Sequence, residues 1–295
     1  MLNSYKRLTK MYNTLISAEE LAQHFHRPGW LVFDCRFNLA DTGAGRRAYR
    51  EAHIPGAAYL HLDDDLCAPL APGLTGRHPL PPAEETAARF SRWGIGPDTQ
   101  VVAYDDMSGA IAARLWWMLR WLGHEAAAVL DGGWPAWQSA GLPTDAEIPR
   151  SVPANFTANT KAGWTVDADR VGVAAHSPAY KVVDSRTPER YRGEVEPIDP
   201  VAGHIPGAVN YPHPSNVGPD GLWLSPETLR RQLMEVLGST PPEHTVFYCG
   251  SGVTACRNIL AYKYAGLGDA LLYPGSWSEW IADGTREVAT GGDGA

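Results

Sequence analysis

Cys249 opens the run Cys249-Gly250-Ser251-Gly252-Val253-Thr254, which follows the apolar tetrad Thr245–Tyr248 and leads into a helical pattern from Val253 to Leu260. The pattern predicts a short buried strand, a tight turn and a helix. Gly250 and Gly252 are expected to curl the backbone, because glycine adopts positive φ without a steric penalty. Such a turn aims several backbone N–H groups at one point, and the helix N-terminus adds partial positive charge there. A thiol at that point loses its proton more readily than a free cysteine, and the thiolate is the nucleophilic form. A lone cysteine is more often a small core residue. Its position at the mouth of a glycine-rich strand-to-helix turn favours covalent chemistry.

Cysteine also serves phosphatases and arsenate reductases, but their loop needs an arginine six residues on. Here Ala255 holds that place and Arg257 comes two positions later. A developing charge on phosphorus would go unmatched. The cysteines at 35, 67, 249 and 256 form no CxxC pair and no zinc spacing. A reducing, cytoplasmic setting fits, with no metal. A formal charge of −8 argues against a general nucleic-acid binder. No apolar run is long enough to span a bilayer, and the start of the chain lacks a signal-peptide core. Lys6, Arg7 and Lys10 read as a basic tail.

The elements that must position Cys249 occur twice. FDCR at 33–36 answers VDSR at 183–186, and AHIPGAAYL at 52–60 answers GHIPGAVNY at 203–211. VVAYDDMSG at 101–109 answers TVFYCGSGV at 245–253, and DGGWPAW at 131–137 answers PGSWSEW at 274–280. Four blocks in one order, about 145 residues apart, indicate a duplicated domain rather than a solenoid. Strands are expected at 30–34, 100–104, 126–130, 181–184 and 245–248. Helices are expected after Ser17, over 84–93, from 111 to 122 and after Ser225, where Ser caps and Pro takes the first turn. Ser17 and Glu20 form the pattern of a capping box. The tryptophans at 116, 117 and 121 widen the apolar face of the 111–122 helix, so it should be covered on most sides. Residues 61–82 are too rich in proline and glycine for regular structure. Residues 143–163 read as a linker between domains at 12–142 and 164–290. Alternating strands and helices imply α/β domains, each a mostly parallel sheet with helices on both faces. Ligands then bind beyond the carboxyl ends of the strands, where Cys249 falls. The first copy has Asp105 in place of the cysteine, so only the second is expected to be catalytic. The paired carboxylates Asp105 and Asp106 should repel an anionic substrate.

The sequence CGSGVTA resembles the active-site loop of the rhodanese superfamily and, within it, of the 3-mercaptopyruvate sulfurtransferases. The resemblance implies two tandem rhodanese-like domains. It also implies sulfur transfer from 3-mercaptopyruvate through a Cys249 persulfide to cyanide or a thiol such as thioredoxin, with no cofactor. Thiosulfate enzymes of this superfamily carry two cations after the cysteine, where this chain has Gly250 and Ser251. The same likeness makes Ser251 and His53 proton-relay residues, with Asp41 as the candidate acid. Arg190 becomes the donor-anion grip, Arg186 a brace for the loop, and Gly250, Gly252, Val253 and Thr254 the rest of the cradle. Three positions depart from the pattern: Ile198 replaces a second clamp arginine, and Ala110 and Ile111 replace aromatic residues. The competing readings are a thiosulfate sulfurtransferase and a non-enzymatic persulfide carrier. Each of the two HIPGA histidines could equally anchor its turn.

Overall fold

Two halves of the chain build the same layered arrangement. The computed structural model describes residues 10–292; Lys6 and Arg7 of the basic N-terminal stretch lie outside them. The first half contributes β1 (Leu15–Ile16), β2 (Trp30–Asp34), β3 (Ala58–Tyr59), β4 (Gln100–Tyr104) and β5 (Ala127–Leu130). They form one sheet in the order β1-β5-β4-β2-β3. The second half contributes β6 (Lys181–Asp184), β7 (Val209–Asn210), β8 (Thr245–Tyr248) and β9 (Leu271–Leu272), in the order β7-β6-β8-β9. All these pairings are parallel. Parallel sheets are covered on both faces, so their strands are continuous apolar runs. Val101–Tyr104 and Val246–Tyr248 are accordingly buried end to end.

The helix Ala112–Trp121 is buried along its whole length because it lies between the halves. It packs against its counterpart Ala255–Tyr264. One apolar core runs through this contact, from Phe33 and Phe90 past Trp117 to Phe247 and Ile259. Residues 143–163 contain no helix or strand beyond a bridge between His53 and Asp145. The segment nevertheless lies along the first half. Phe156 is buried against Phe90 and His124, and the amides of Asn159 and Lys161 donate to Leu122 and Trp121 carbonyls. The Ser17 hydroxyl caps its helix by accepting from the Glu20 amide. The capping box stays half-made, since the Glu20 carboxylate turns to Lys10 and Tyr12 instead.

The repeated motifs share one structural job. Arg36 grips Asp34 and donates to the Ala52 carbonyl at 2.7 Å, with its guanidinium over Trp134. Arg186 grips Asp184 and donates to the Gly203 carbonyl at 2.6 Å, over Trp277. Each pair ties the strand end to the turn before the HIPGA segment. The turn's histidine then locks it. His53 stacks on Tyr49 with Nδ1 2.6 Å from the Tyr49 carbonyl, and His204 stacks on Tyr191 with Nδ1 2.7 Å from the Tyr191 carbonyl.

Candidate active site

The Cys249 side chain sits at the carboxyl end of β8, on the floor of a cavity of about 330 Å³ between the halves. The residue is 1% exposed. The Gly252 amide points at Sγ from 3.2 Å, a donor for negative charge on sulfur. Behind the turn, Trp277 and Ser278 amides donate to the Cys249 and Gly250 carbonyls, which fixes the loop from outside. Gly252 has φ +76°, and a Cβ there would meet the Pro274 carbonyl at 2.2 Å. Gly250 does not take a left-handed φ. A Cβ there would stand 3.1 Å from Arg77 Nη2, a tight contact with a side-chain tip rather than a clash with backbone. Backbone geometry therefore requires glycine at 252 but not at 250, where the sequence suggested it at both.

Ser251 Oγ lies 2.7 Å from Nδ1 of His78, not His53, and His78 Nε2 lies 3.2 Å from Asp63 Oδ1. His53 is remote from this group. It is fully buried, and its Nε2 faces the Glu147 carbonyl at 3.1 Å and Asp145 at 3.2 Å. Its ring is thus committed to the turn in the same way as His204. Asp41 is exposed and paired with Arg47, so it is not the acid. The relay-type residues come instead from the irregular stretch 61–82. Asp63 rides on the single-turn helix Leu62–Asp65, and the amide of Arg77 is pinned to Ser278 Oγ at 2.9 Å. Arg114, buried in the central helix, donates to the Gly252 carbonyl at 3.0 Å and to the His78 carbonyl at 3.4 Å. One guanidinium thereby registers the cysteine loop against the histidine loop.

Burial pushes the His78 imidazole below its ordinary pKa, against the opposing pull of Asp63. The His78 hydrogen bond holds Asp63 below the usual carboxylate range, opposed by its partial burial. A neutral His78 with its proton on Nε2 leaves Nδ1 to accept from the Ser251 hydroxyl. His213 also lines the cavity. Burial, helped by Arg257 and Arg190, pushes it down to about 3, and its Nδ1 faces Arg257 at 3.0 Å. Arg257 therefore points into the protein rather than at the cysteine loop.

Arg190 faces the cavity, bonded to Glu196 (2.7 Å) and Asp199 (3.1 Å). Gly250, Val253, Thr254 and Ile198 also line the cavity. Arg186 bridges Asp184 and Glu196. In the first half the matching loop is closed by its own side chain. Asp105 is fully buried and accepts from the amides of Met107, Gly109, Ile111 and Ala112 at 2.7–2.9 Å. The expected repulsion of substrate by Asp105 is replaced by self-occupation: its carboxylate fills the amide nest. Among the described residues, no group of three or more His, Cys, Asp or Glu is placed to hold a metal, and no helix is long and apolar enough to cross a membrane.

His78 and Asp63 lie between the repeated blocks, in a connection (60–82) that is longer than its counterpart in the second copy (211–225), so no repeated motif marks them. Its length was the available signal, since long irregular loops in compact domains are commonly functional.

A rhodanese-like domain model matches residues 17–140 and again 167–283. The chain is 47% identical over 278 residues to a probable 3-mercaptopyruvate sulfurtransferase of Pseudomonas aeruginosa, covering 94% of this chain and 98% of that protein. It is 40% identical over 283 residues to a putative thiosulfate sulfurtransferase of Mycobacterium tuberculosis, covering 94% and 97%. The solved 3-mercaptopyruvate sulfurtransferase from Leishmania major superposes with a TM-score of 0.79 at 34% identity, over 91% of this chain and 74% of that one.

Proposed function

The chain belongs to the rhodanese family and is a sulfurtransferase acting through a persulfide, and we propose that its sulfur donor is 3-mercaptopyruvate. Relatives named for both donors are similar to it, so the choice rests on chemistry at the site. The observation that carries it is the contiguous set Ser251, His78 and Asp63 beside Cys249.

Cys249 is the proposed nucleophile. Its thiolate attacks the donor's sulfur, the S–S bond forms, and the donor's carbon–sulfur bond breaks with the electron pair left on carbon. That carbon is the enolate of pyruvate. The donor's S–H proton ends on it, so the products are pyruvate and a Cys249 persulfide anion, with no proton gained or lost overall. Ser251 and His78 are suited to move that proton: the Ser251 hydroxyl passes its proton to Nδ1 as its oxygen takes the donor's S–H proton, and His78 then returns a proton to Ser251 as the hydroxyl gives its own to the enolate carbon. Asp63 holds the imidazole in the tautomer required. Thiosulfate would leave as sulfite and needs no proton. The Gly252 amide faces the sulfur and supports the persulfide charge. Arg190 supplies an N–H fork for the donor's carboxylate. An acceptor thiol, small or carried by a protein such as thioredoxin, then takes the outer sulfur, which makes the kinetics ping-pong. The first copy acts as the non-catalytic wall of the cleft.

The test is a donor comparison at one fixed thiol acceptor. A higher kcat/KM for 3-mercaptopyruvate is expected. A higher value for thiosulfate would overturn the donor assignment.

A further inference from the structure

Ser276 stands in a backbone conformation that few side chains accept. Its φ is +55°, and among the described residues only Ser108 shares a positive φ without being glycine. Ser108 ties the halves together by donating to the Gly221 carbonyl at 2.8 Å. The repeat shows what is ordinary at the place of Ser276. PGSWSEW answers DGGWPAW, and the matching residue of the first copy, Gly133, has φ +58°. Glycine takes that conformation freely, whereas serine holds it under strain. Both turns make the same main-chain bond: the Trp134 amide donates to the Asp105 carbonyl at 2.7 Å, and the Trp277 amide to the Cys249 carbonyl at 3.0 Å. Holding that carbonyl therefore does not require a serine.

The hydroxyl is what the second copy adds. Ser276 is fully buried, and its Oγ donates to the Tyr273 carbonyl at 2.9 Å. With its one proton committed there, Oγ accepts from the Cys249 amide at 3.1 Å. The side chain thus binds the backbone of the residue that carries the thiol. In the first copy the loop is fixed from within, because the Asp105 carboxylate gathers four of its amides. A thiol cannot gather them in the same way. Cys249 Sγ receives the Gly252 amide at 3.2 Å, and the rest of the fixation has to come from behind the loop.

We propose that Ser276 is a positioning residue for the nucleophile. Its hydroxyl anchors the Cys249 amide and so sets the direction of the Cα–Cβ bond that carries Sγ to the cavity floor. Strain at 276 is thereby tied to the chemistry of the loop. This inference rests on the reading of Cys249 as the sulfur carrier. It gives Ser276 no part in proton transfer, which separates it from Ser251. Its effect is the same whether the donor leaves with a proton or without one.

The test uses Ser276→Gly and Ser276→Ala in the full chain, with thermal melts to confirm folding. Glycine relieves the strain and alanine keeps it, but both lose the hydroxyl. Single-turnover release of pyruvate from 3-mercaptopyruvate and of sulfite from thiosulfate should slow by one common factor in both variants, about 10- to 100-fold, the scale of a displaced reacting group. The steady-state KM for either donor should change little, because this turn lies behind the cysteine loop. If the alanine variant fails to fold, the glycine variant still reads the effect, since Gly133 shows that the turn closes without a side chain. Unchanged single-turnover rates in the folded glycine variant, or a loss in alanine alone, would overturn the proposal. So would a loss confined to 3-mercaptopyruvate, which would put Ser276 in the proton route. Persulfide mapping on the unaltered protein judges Cys249 separately. Sulfur on Cys249 with unchanged rates in the variants removes this inference alone, whereas sulfur elsewhere removes the reading beneath it.

Discussion

Ser251→Ala should slow the reaction with 3-mercaptopyruvate far more than with thiosulfate. The hydroxyl is the link between the reacting centre and His78, 2.7 Å away, and both residues are nearly buried, at 6% and 4% exposure. Removing it breaks the proton route while leaving Cys249 and the loop amides in place. General acid–base catalysis contributes about 10²- to 10⁴-fold, so kcat/KM for 3-mercaptopyruvate should fall by about two orders of magnitude or more. Thiosulfate leaves without a proton. Its loss should be limited to that of one ordinary hydrogen bond, about 0.5–1.5 kcal/mol or roughly 2- to 10-fold. The orphaned His78 Nδ1 lowers stability by about 1–3 kcal/mol, so both donors are assayed well below the melting transition. Pyruvate and sulfite release are measured at one thiol concentration. Equal losses for the two donors would refute the relay. A His53→Gln control should lower the melting temperature and leave donor preference unchanged; selective loss with 3-mercaptopyruvate in that variant would restore His53 to the mechanism.

Other outcomes follow from the charged groups. Arg190→Ala should raise donor KM by about 10- to 150-fold. It should also destabilise the fold by about 1.5–3 kcal/mol, the range for a lost charged hydrogen bond, because the buried carboxylates of Glu196 and Asp199 each lose one arginine partner and keep only Arg186 and Arg77; an unchanged KM would place the anion elsewhere. His213 is neutral in the fold, pushed down to about 3 chiefly by burial, whereas the unfolded chain binds that proton near 6.5. Between these values the unfolded state holds more protons, so stability is full above about 6.5 and falls with pH by up to ~1.4 kcal/mol per unit. His213→Gln, which keeps an acceptor for Arg257, should flatten part of the decline in urea midpoint below pH 6.5. An unaltered slope would contradict the assignment of that proton to His213.

The duplicated fold was legible because its causes are local. Apolar runs such as Val101–Tyr104 and Val246–Tyr248 declare buried parallel strands, and four repeated motifs fix the register of the copies. The same repetition misled the site. His53 stands out because HIPGA recurs, yet recurrence reflects the shared stacking on Tyr49 and Tyr191 that builds the turn. His78 belongs to an irregular loop whose path depends on contacts with Ser278 and Arg114, far away in sequence. No periodicity encodes that packing. Gly250 shows a similar limit: its neighbour Arg77 reaches it from the first half, far away in sequence. Asp105 read as a charge facing substrate, and only the loop's geometry shows four amides folded around it.

The central claim is that Cys249 carries the transferred sulfur taken from 3-mercaptopyruvate. The protein can be treated with one equivalent of 3-mercaptopyruvate without acceptor, alkylated and mapped by peptide mass spectrometry. Cys256 makes a demanding internal control: its buried thiol is pushed up to about 12 and lies 3.4 Å from the Gly252 carbonyl, on the same loop. The expected result is a gain of about 32 Da, one sulfur atom, on the peptide containing Cys249. Pyruvate should be released in equal amount, and thiol added afterwards to an unalkylated sample should take up that same equivalent of sulfur. An adduct confined to Cys35, Cys67 or Cys256, or pyruvate released with Cys249 unmodified throughout, would contradict the account.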